Sequence, residues 1–316
     1  MPHTDATTRT DASRRPIITP NRTDAPRRVL TKVPQITLIF WVLKLLTTGM
    51  GEAMSDSLGQ QSVPLAAAVG IFGLVLALKL QLRQAEYRAP YYWFAVMMVA
   101  VFGTMAADGI HDGASIPYSV TTPVFALVTG VIFLWWYRSE GTLSIHSITT
   151  RRRERFYWAA VLATFALGTA AGDLTAYRLN LGFWPSAILF AVVFAIPAIG
   201  WWRLNWNPIL AFWFAYIVTR PLGASFADGF SKPTNGGLKL GDPLVSLVEF
   251  AFFIALVTWV TISRRDVQAD DGHDEAHAHR HAPHLPAVPH LHVPHHDGDT
   301  HPHGHPAPAR LATELE

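Results

Sequence analysis

Eight stretches of about twenty predominantly apolar residues follow one another through this chain, at roughly 35–57, 62–82, 91–111, 117–137, 155–176, 182–202, 208–229 and 243–263. Each is long enough to cross a hydrocarbon core of about 30 Å as a helix. In lipid only helices and closed barrels satisfy their own backbone groups, and stretches of this length read as helices. Half of the 316 residues are hydrophobic and 15% are charged, against about 25% charged in soluble domains. The expected fold is all-α and polytopic, with eight transmembrane helices over residues 32–265. A loop near 138–154 divides them into two four-helix halves, about 32–138 and 154–265. Residues 1–31, rich in Thr, Arg, Asp and Pro, lack the apolar core of a signal peptide and read as a disordered tail. Residues 266–316 read as a second disordered tail.

Basic residues mark alternate ends of the spans. Arg14, Arg15, Arg22, Arg27, Arg28 and Lys32 precede the first; Lys79, Arg83 and Arg88 follow the second; Arg138 and Arg151–Arg153 follow the fourth. Arg203 follows the sixth, and Arg264 and Arg265 the eighth, while the other loops are poor in basic residues apart from Lys232 and Lys239. The positive-inside rule then places both termini in the cytoplasm, and an even number of spans agrees.

A four-fold internal repeat lies across the odd-numbered spans. An aromatic–Trp pair is followed by Gly ten residues after the Trp, and by Asp five residues after the Gly. The copies are Trp41/Gly51/Asp56, Trp93/Gly103/Asp108, Trp158/Gly168/Asp173 and Trp213/Gly223/Asp228, preceded by Phe40, Tyr92, Tyr157 and Phe212. The unit is a two-helix hairpin, and because every odd helix runs outward the four repeats are expected to be parallel, with pseudo-fourfold or paired pseudo-twofold symmetry. From Trp to Asp a helix advances about 22 Å. The Trp is therefore expected at the cytoplasmic interface, where amphipathic rings are favoured, and the Asp near the outer face. Small residues before each Asp (GEAMSD, GTMAAD, GTAAGD, GASFAD) permit close helix approach.

Ionisable groups inside a membrane are costly and usually functional. Asp56, Asp108, Asp173 and Asp228, with Glu52 one turn before Asp56, form a candidate cation pathway. Two plainer readings stay open: each Asp ends its helix in interfacial water, or caps the following loop. The copies differ after the glycine, with Glu52 in the first, Thr104 and Thr169 in the next two, and Ala224 in the fourth, where Arg220 and Pro221 precede Gly223. Lys44 and Arg220 are the expected charge partners of the acids, and a Lys44 that snorkels to the interface is the alternative for that residue. Pro221 is expected to bend the seventh helix. Glu249 is a further candidate acid, and His111 and Asp112 lie beside Asp108.

The C-terminal tail holds His273, His277, His279, His281, His284, His290, His292, His295, His296, His301, His303 and His305. Closely spaced imidazoles can chelate zinc, copper or nickel, so the tail reads as a cytoplasmic metal collector; simple low complexity is the alternative. The Gly-rich run at 234–243 lacks the ending of a phosphate loop. With no cysteine and no nucleophile–base pattern, no enzyme, nucleic-acid partner or tightly bound cofactor is expected.

From KVPQITLIFWVLKLLTTGMGEAMSD through RPLGASFADGF the chain resembles a bacterial family of uncharacterised membrane-anchored proteins, over roughly residues 32–263. The match rests on the four Gly-to-Asp motifs, Lys44, the Gly51–Glu52 pair and the Arg220–Gly223 run; both tails lie outside it. The resemblance implies a multi-pass protein of a bacterial inner membrane and no assigned activity. The residues themselves suggest a transporter of a divalent transition metal, coupled to protons. An anchored metal-binding scaffold and a cation or proton channel are the alternatives. All-oxygen ligands suit manganese or magnesium and the His tail suits zinc, copper or nickel, so the metal stays open.

Overall fold

The computed structural model describes residues 31–267, and all of their long elements are helical. The eight are α1 (Leu38–Gln61), α2 (Val63–Arg83), α3 (Ala89–Asp108), α4 (Tyr118–Glu140), α5 (Arg151–Asp173), α6 (Phe183–Leu204), α7 (Pro208–Ser231) and α8 (Asp242–Ser263). Local chemistry sets their ends. Thr37, Thr150 and Asn207 accept backbone N–H bonds at the starts of α1, α5 and α7, replacing partners that a first turn lacks. Pro stands in the first turn of α2, α3, α7 and α8, where its missing N–H costs nothing. Gly141 (φ 72°), Asn205 (φ 51°) and Arg264 (φ 52°) end α4, α6 and α8 in the left-handed region. One extended residue, Ser62, separates α1 from α2. A π-turn continues α3 over Gly109–Gly113 and another continues α5 over Leu174–Arg178. α7 runs on through Pro221 as a single helix.

Seven helices, α2 to α8, are long and apolar enough to cross a membrane, and the chain is a multi-pass membrane protein. α1 falls short of that apolarity because it carries Lys44, Glu52 and Asp56. The two kinds of helix alternate. The apolar stretches of α3, α5 and α7 are 61–72% buried, whereas those of α2, α4, α6 and α8 are 17–28% buried. Contacts explain the difference. α1 packs on α3, α3 on α5, α5 on α7 and α7 back on α1, a closed cycle of odd-numbered helices. Each even-numbered helix then packs chiefly on the next odd one: α2 on α3, α4 on α5, α6 on α7 and α8 on α1. Exposed Leu, Ile, Val and Phe side chains, such as Ile71, Phe72, Val131, Ile188 and Phe252, cover the outer helices, as a lipid-facing surface requires.

One end of the bundle is sealed by buried polar contacts. The Lys32 ammonium pairs with Glu154 at 2.6 Å, and the Gln81 amide donates to the same carboxylate at 3.1 Å. The Tyr87 hydroxyl donates to Asp266, whose backbone carbonyl accepts from Gln35 N at 2.8 Å. Burial raises the Asp266 carboxyl above its ordinary value. Lys32 and Asp266 therefore belong to the folded domain, which moves the C-terminal tail boundary expected at 266 outward. The remainder of both tails, with all twelve tail histidines, lies outside the described residues.

Candidate functional site

The repeat glycines fix how the central helices meet. A Cβ on Gly51 would stand 2.5 Å from the Ala100 Cβ, and one on Gly103 2.8 Å from the Phe165 Cβ. On Gly168 it would stand 2.5 Å from Arg220 Cβ and Cγ, and on Gly223 it would collide with the Thr48 side chain. Ala100, Phe165, Arg220 and Thr48 each stand three residues before the glycine of the next copy around the cycle. Each glycine thus receives the neighbouring helix at the same height, an approach open only to residues without a side chain.

Arg220 uses this register. It is 1% exposed, and its Nη2 donates to Glu52, to Thr104 and, at 2.8 Å, to Thr169. Nη1 donates to the Thr48 carbonyl at 3.3 Å. Glu52, Thr104 and Thr169 are the residues directly after the glycines of the first three copies. One guanidinium from the fourth copy therefore ties the other three together. The fourth copy has Ala224 at that place and contributes the arginine instead.

Beyond Arg220 lies a cavity of about 1030 Å³ lined by Glu52, Asp56, Asp108, Asp173 and Asp228. Glu52 and all four repeated aspartates meet there. It reaches surface-exposed Gln60, Gly109 and Tyr177. Glu52, Asp173 and Asp228 are buried, and one carboxylate oxygen from each lies within 4.8 Å of the other two. Asp228 Oδ1 is buried without a hydrogen-bond partner among the described residues. His111 also lines the cavity; it stacks on Tyr118 with 3.5 Å between ring centroids, and its Nδ1 lies 2.7 Å from the Ile116 carbonyl.

Three residues at the rim had no repeat to announce them. Lys232, at the end of α7, donates to Asp56 and, at 3.2 Å, to Asp242 at the start of α8. Gln60 donates to the same Asp242 oxygen at 2.5 Å. Burial disfavours the charge on Lys232, but Asp56, Asp228 and Asp242 outweigh it and hold its ammonium well above the ordinary lysine value. The one available signal was that Lys232 breaks the charge asymmetry of the loops.

One expectation needs correction. Lys44 is 1% exposed, so it does not snorkel, and it pairs with no acid among the described residues. Its ammonium sits over the Phe165 ring at 3.9 Å and the Tyr216 ring at 4.3 Å from the centroids, where ring quadrupoles supply the negative field. Of the repeat tryptophans, Trp93, Trp158 and Trp213 are buried and Trp41 is half-buried, all on the early turns of the odd helices. They join Phe40, Tyr92, Tyr157, Phe212 and Tyr216 in a core of ring contacts centred on the first turns of the odd helices. Within it the Tyr92 and Tyr157 hydroxyls lie 2.5 Å apart. Trp213 Nε1 donates to the Leu143 carbonyl at 3.0 Å, whereas Trp93 Nε1, Trp158 Nε1 and the Tyr216 hydroxyl are buried with no hydrogen-bond partner among the described residues. Glu249 lies apart from the cavity lining and packs against α1 beside Gly49.

A protein family described as Repeat of Unknown Function (DUF347) matches the chain three times, at residues 91–142, 156–206 and 211–266. These segments hold α3 with α4, α5 with α6 and α7 with α8, the two-helix units of the internal repeat, and together they make up half of the sequence. No curated protein and no solved structure matches it.

Proposed function

The chain belongs to the repeat family of unknown function, DUF347, and from that premise we propose that it carries a metal cation across the bilayer through the cavity of repeated carboxylates. The observation that carries the reading is that Glu52 and all four repeated aspartates line one cavity. A cavity that gathers so many acids inside a helical bundle is neutralised by a cation or by protons, which suits exchange of the two. In this reading all eight helices span the membrane, and the first copy of the unit, which the family matches do not cover, is α1 with α2. The four units are parallel and arranged about a pseudo-fourfold axis, supported by the cyclic glycine contacts and the closed cycle of odd helices.

The protein sits in a bacterial inner membrane with both termini cytoplasmic, so the cavity faces outward and the aromatic core closes the inner side. Transport requires that core to open in alternation with the cavity. The histidines of the C-terminal tail gather metal at the inner face and stand outside the pathway. A membrane-anchored scaffold whose acids only pack the bundle would leave the buried unpartnered oxygen of Asp228 without a purpose.

The test is metal flux into proteoliposomes across a panel of divalent ions, with Asp108→Asn and Asp173→Asn beside the wild type. Flux that disappears in correctly inserted variants supports the pathway. Absence of wild-type flux for every ion, in protein shown to be folded, removes the transport reading.

A further inference from the structure

We infer that Glu52, Asp173 and Asp228 form the seat of a hard divalent cation of the manganese, magnesium or calcium class. The inference rests on the transport reading and names the ion for its cavity. Three observations carry it. The first is spacing. In octahedral coordination, opposite ligands stand at twice the metal–oxygen distance, roughly 4.0–4.2 Å for magnesium and 4.6–5.2 Å for calcium. The three carboxylate oxygens lie within 4.8 Å of one another, close enough to share one ion of this size with little movement.

The second is charge. Three carboxylates beside one guanidinium, that of Arg220 on Glu52, leave two negative charges in the trio, and Asp108 on the same cavity wall adds a further acid, so a divalent ion suits the site better than a monovalent one. Lys232 leaves this balance undisturbed because its ammonium is engaged by Asp56 and Asp242 at the rim. The third is an orphaned ligand. Asp228 is 5% exposed, and its Oδ1 has no partner among the described residues although the side chain lines the cavity. A buried carboxylate oxygen without a donor is costly, and a bound cation satisfies it.

The donor set selects the class. The three nearest groups offer only oxygen, and oxygen-only sites suit magnesium, calcium and manganese, whereas zinc and copper favour imidazole or thiolate. Arg220 also gives Glu52 a fixed position. Its Nη2 bonds to Glu52, Thr104 and Thr169 hold that carboxylate against three helices, so it is a positioning residue for the site.

Mn²⁺ is the probe, since its electron spin resonance reports both occupancy and ligand type. The full chain in lipid nanodiscs, given less than one equivalent of Mn²⁺, is expected to show a bound signal without directly coordinated ¹⁴N. Asp173→Asn and Asp228→Asn are expected to weaken binding by about tenfold or more, whereas Glu86→Gln, in the loop between α2 and α3 and outside the cavity lining, changes it little. Directly bonded ¹⁴N that persists in the full chain after the twelve tail histidines are replaced by alanine overturns the assignment whatever the other variants do. So does unchanged affinity in both variants, provided that they elute and melt as folded protein. Mn²⁺ flux in proteoliposomes separates this inference from the one beneath it. Binding at the trio without flux keeps the site and removes transport, and flux indifferent to Asp173→Asn and Asp228→Asn removes the site and keeps transport.

Discussion

Arg220 on α7 and Glu52 on α1 form a fully buried ion pair across 168 positions of sequence, at the floor of the acidic cavity. A buried charge left without its partner destabilises by about 3–5 kcal/mol, whereas losing both partners together costs far less. Arg220→Met should therefore lower the melting temperature sharply. The Glu52→Gln/Arg220→Met double variant should recover part of the loss. Thermal unfolding in detergent checks both, and an Arg220→Met protein as stable as wild type would show that the pair does not hold the helices.

The repeat glycines should be intolerant of even one methyl group. Gly51→Ala and Gly103→Ala place a Cβ 2.5 and 2.8 Å from a neighbouring Cβ, and overpacking of that kind costs about 1–3 kcal/mol. Gly130 in α4 is the control, because a Cβ there meets nothing within 4 Å. Gly130→Ala should be neutral or gain up to about 1 kcal/mol of helix propensity. Equal melting temperatures for all three variants would contradict the close approach.

Lys44 sets two effects against each other. Burying an ammonium costs several kcal/mol, and the Phe165 and Tyr216 faces return about 2 kcal/mol at most. Desolvation wins, so Lys44→Met, of similar length and without charge, should unfold at a higher temperature than wild type. A lower one would mean that Lys44 has a stabilising partner beyond the two rings.

Lys232 should lend stability with a defined pH dependence. Its ammonium is held above the ordinary lysine value by the carboxylates at the rim. The contribution is then complete below the unfolded value of about 10.4 and is lost as pH rises through the higher folded value. Lys232→Met should cost about 1–3 kcal/mol near neutral pH. Melting curves of the two proteins should converge only in strongly alkaline buffer, and convergence at neutral pH would show the contact to be idle.

How far the sequence could be read depends on the range of the interaction. The helix positions were legible because apolar length is local: spans expected at 182–202 and 208–229 fall on α6 and α7. The meeting of Asp56, Asp108, Asp173 and Asp228 was legible because a constant offset from Trp puts them at one height. Lys232 and Asp242 were not, since their pairing depends on how the loop after α7 folds back over the end of α1.

By itself the sequence determined the helical character, the helix lengths and the height of each repeated residue along its own helix, because rise per residue and apolar length are properties of one segment. Tertiary structure alone decided lateral placement. It seated Arg220 among Glu52, Thr104 and Thr169, left Lys44 against aromatic rings, and buried Trp93, Trp158 and Trp213. Those outcomes depend on which helices are neighbours and how each is rotated. The cyclic packing of glycine on helix fixes both, and no single segment contains that information.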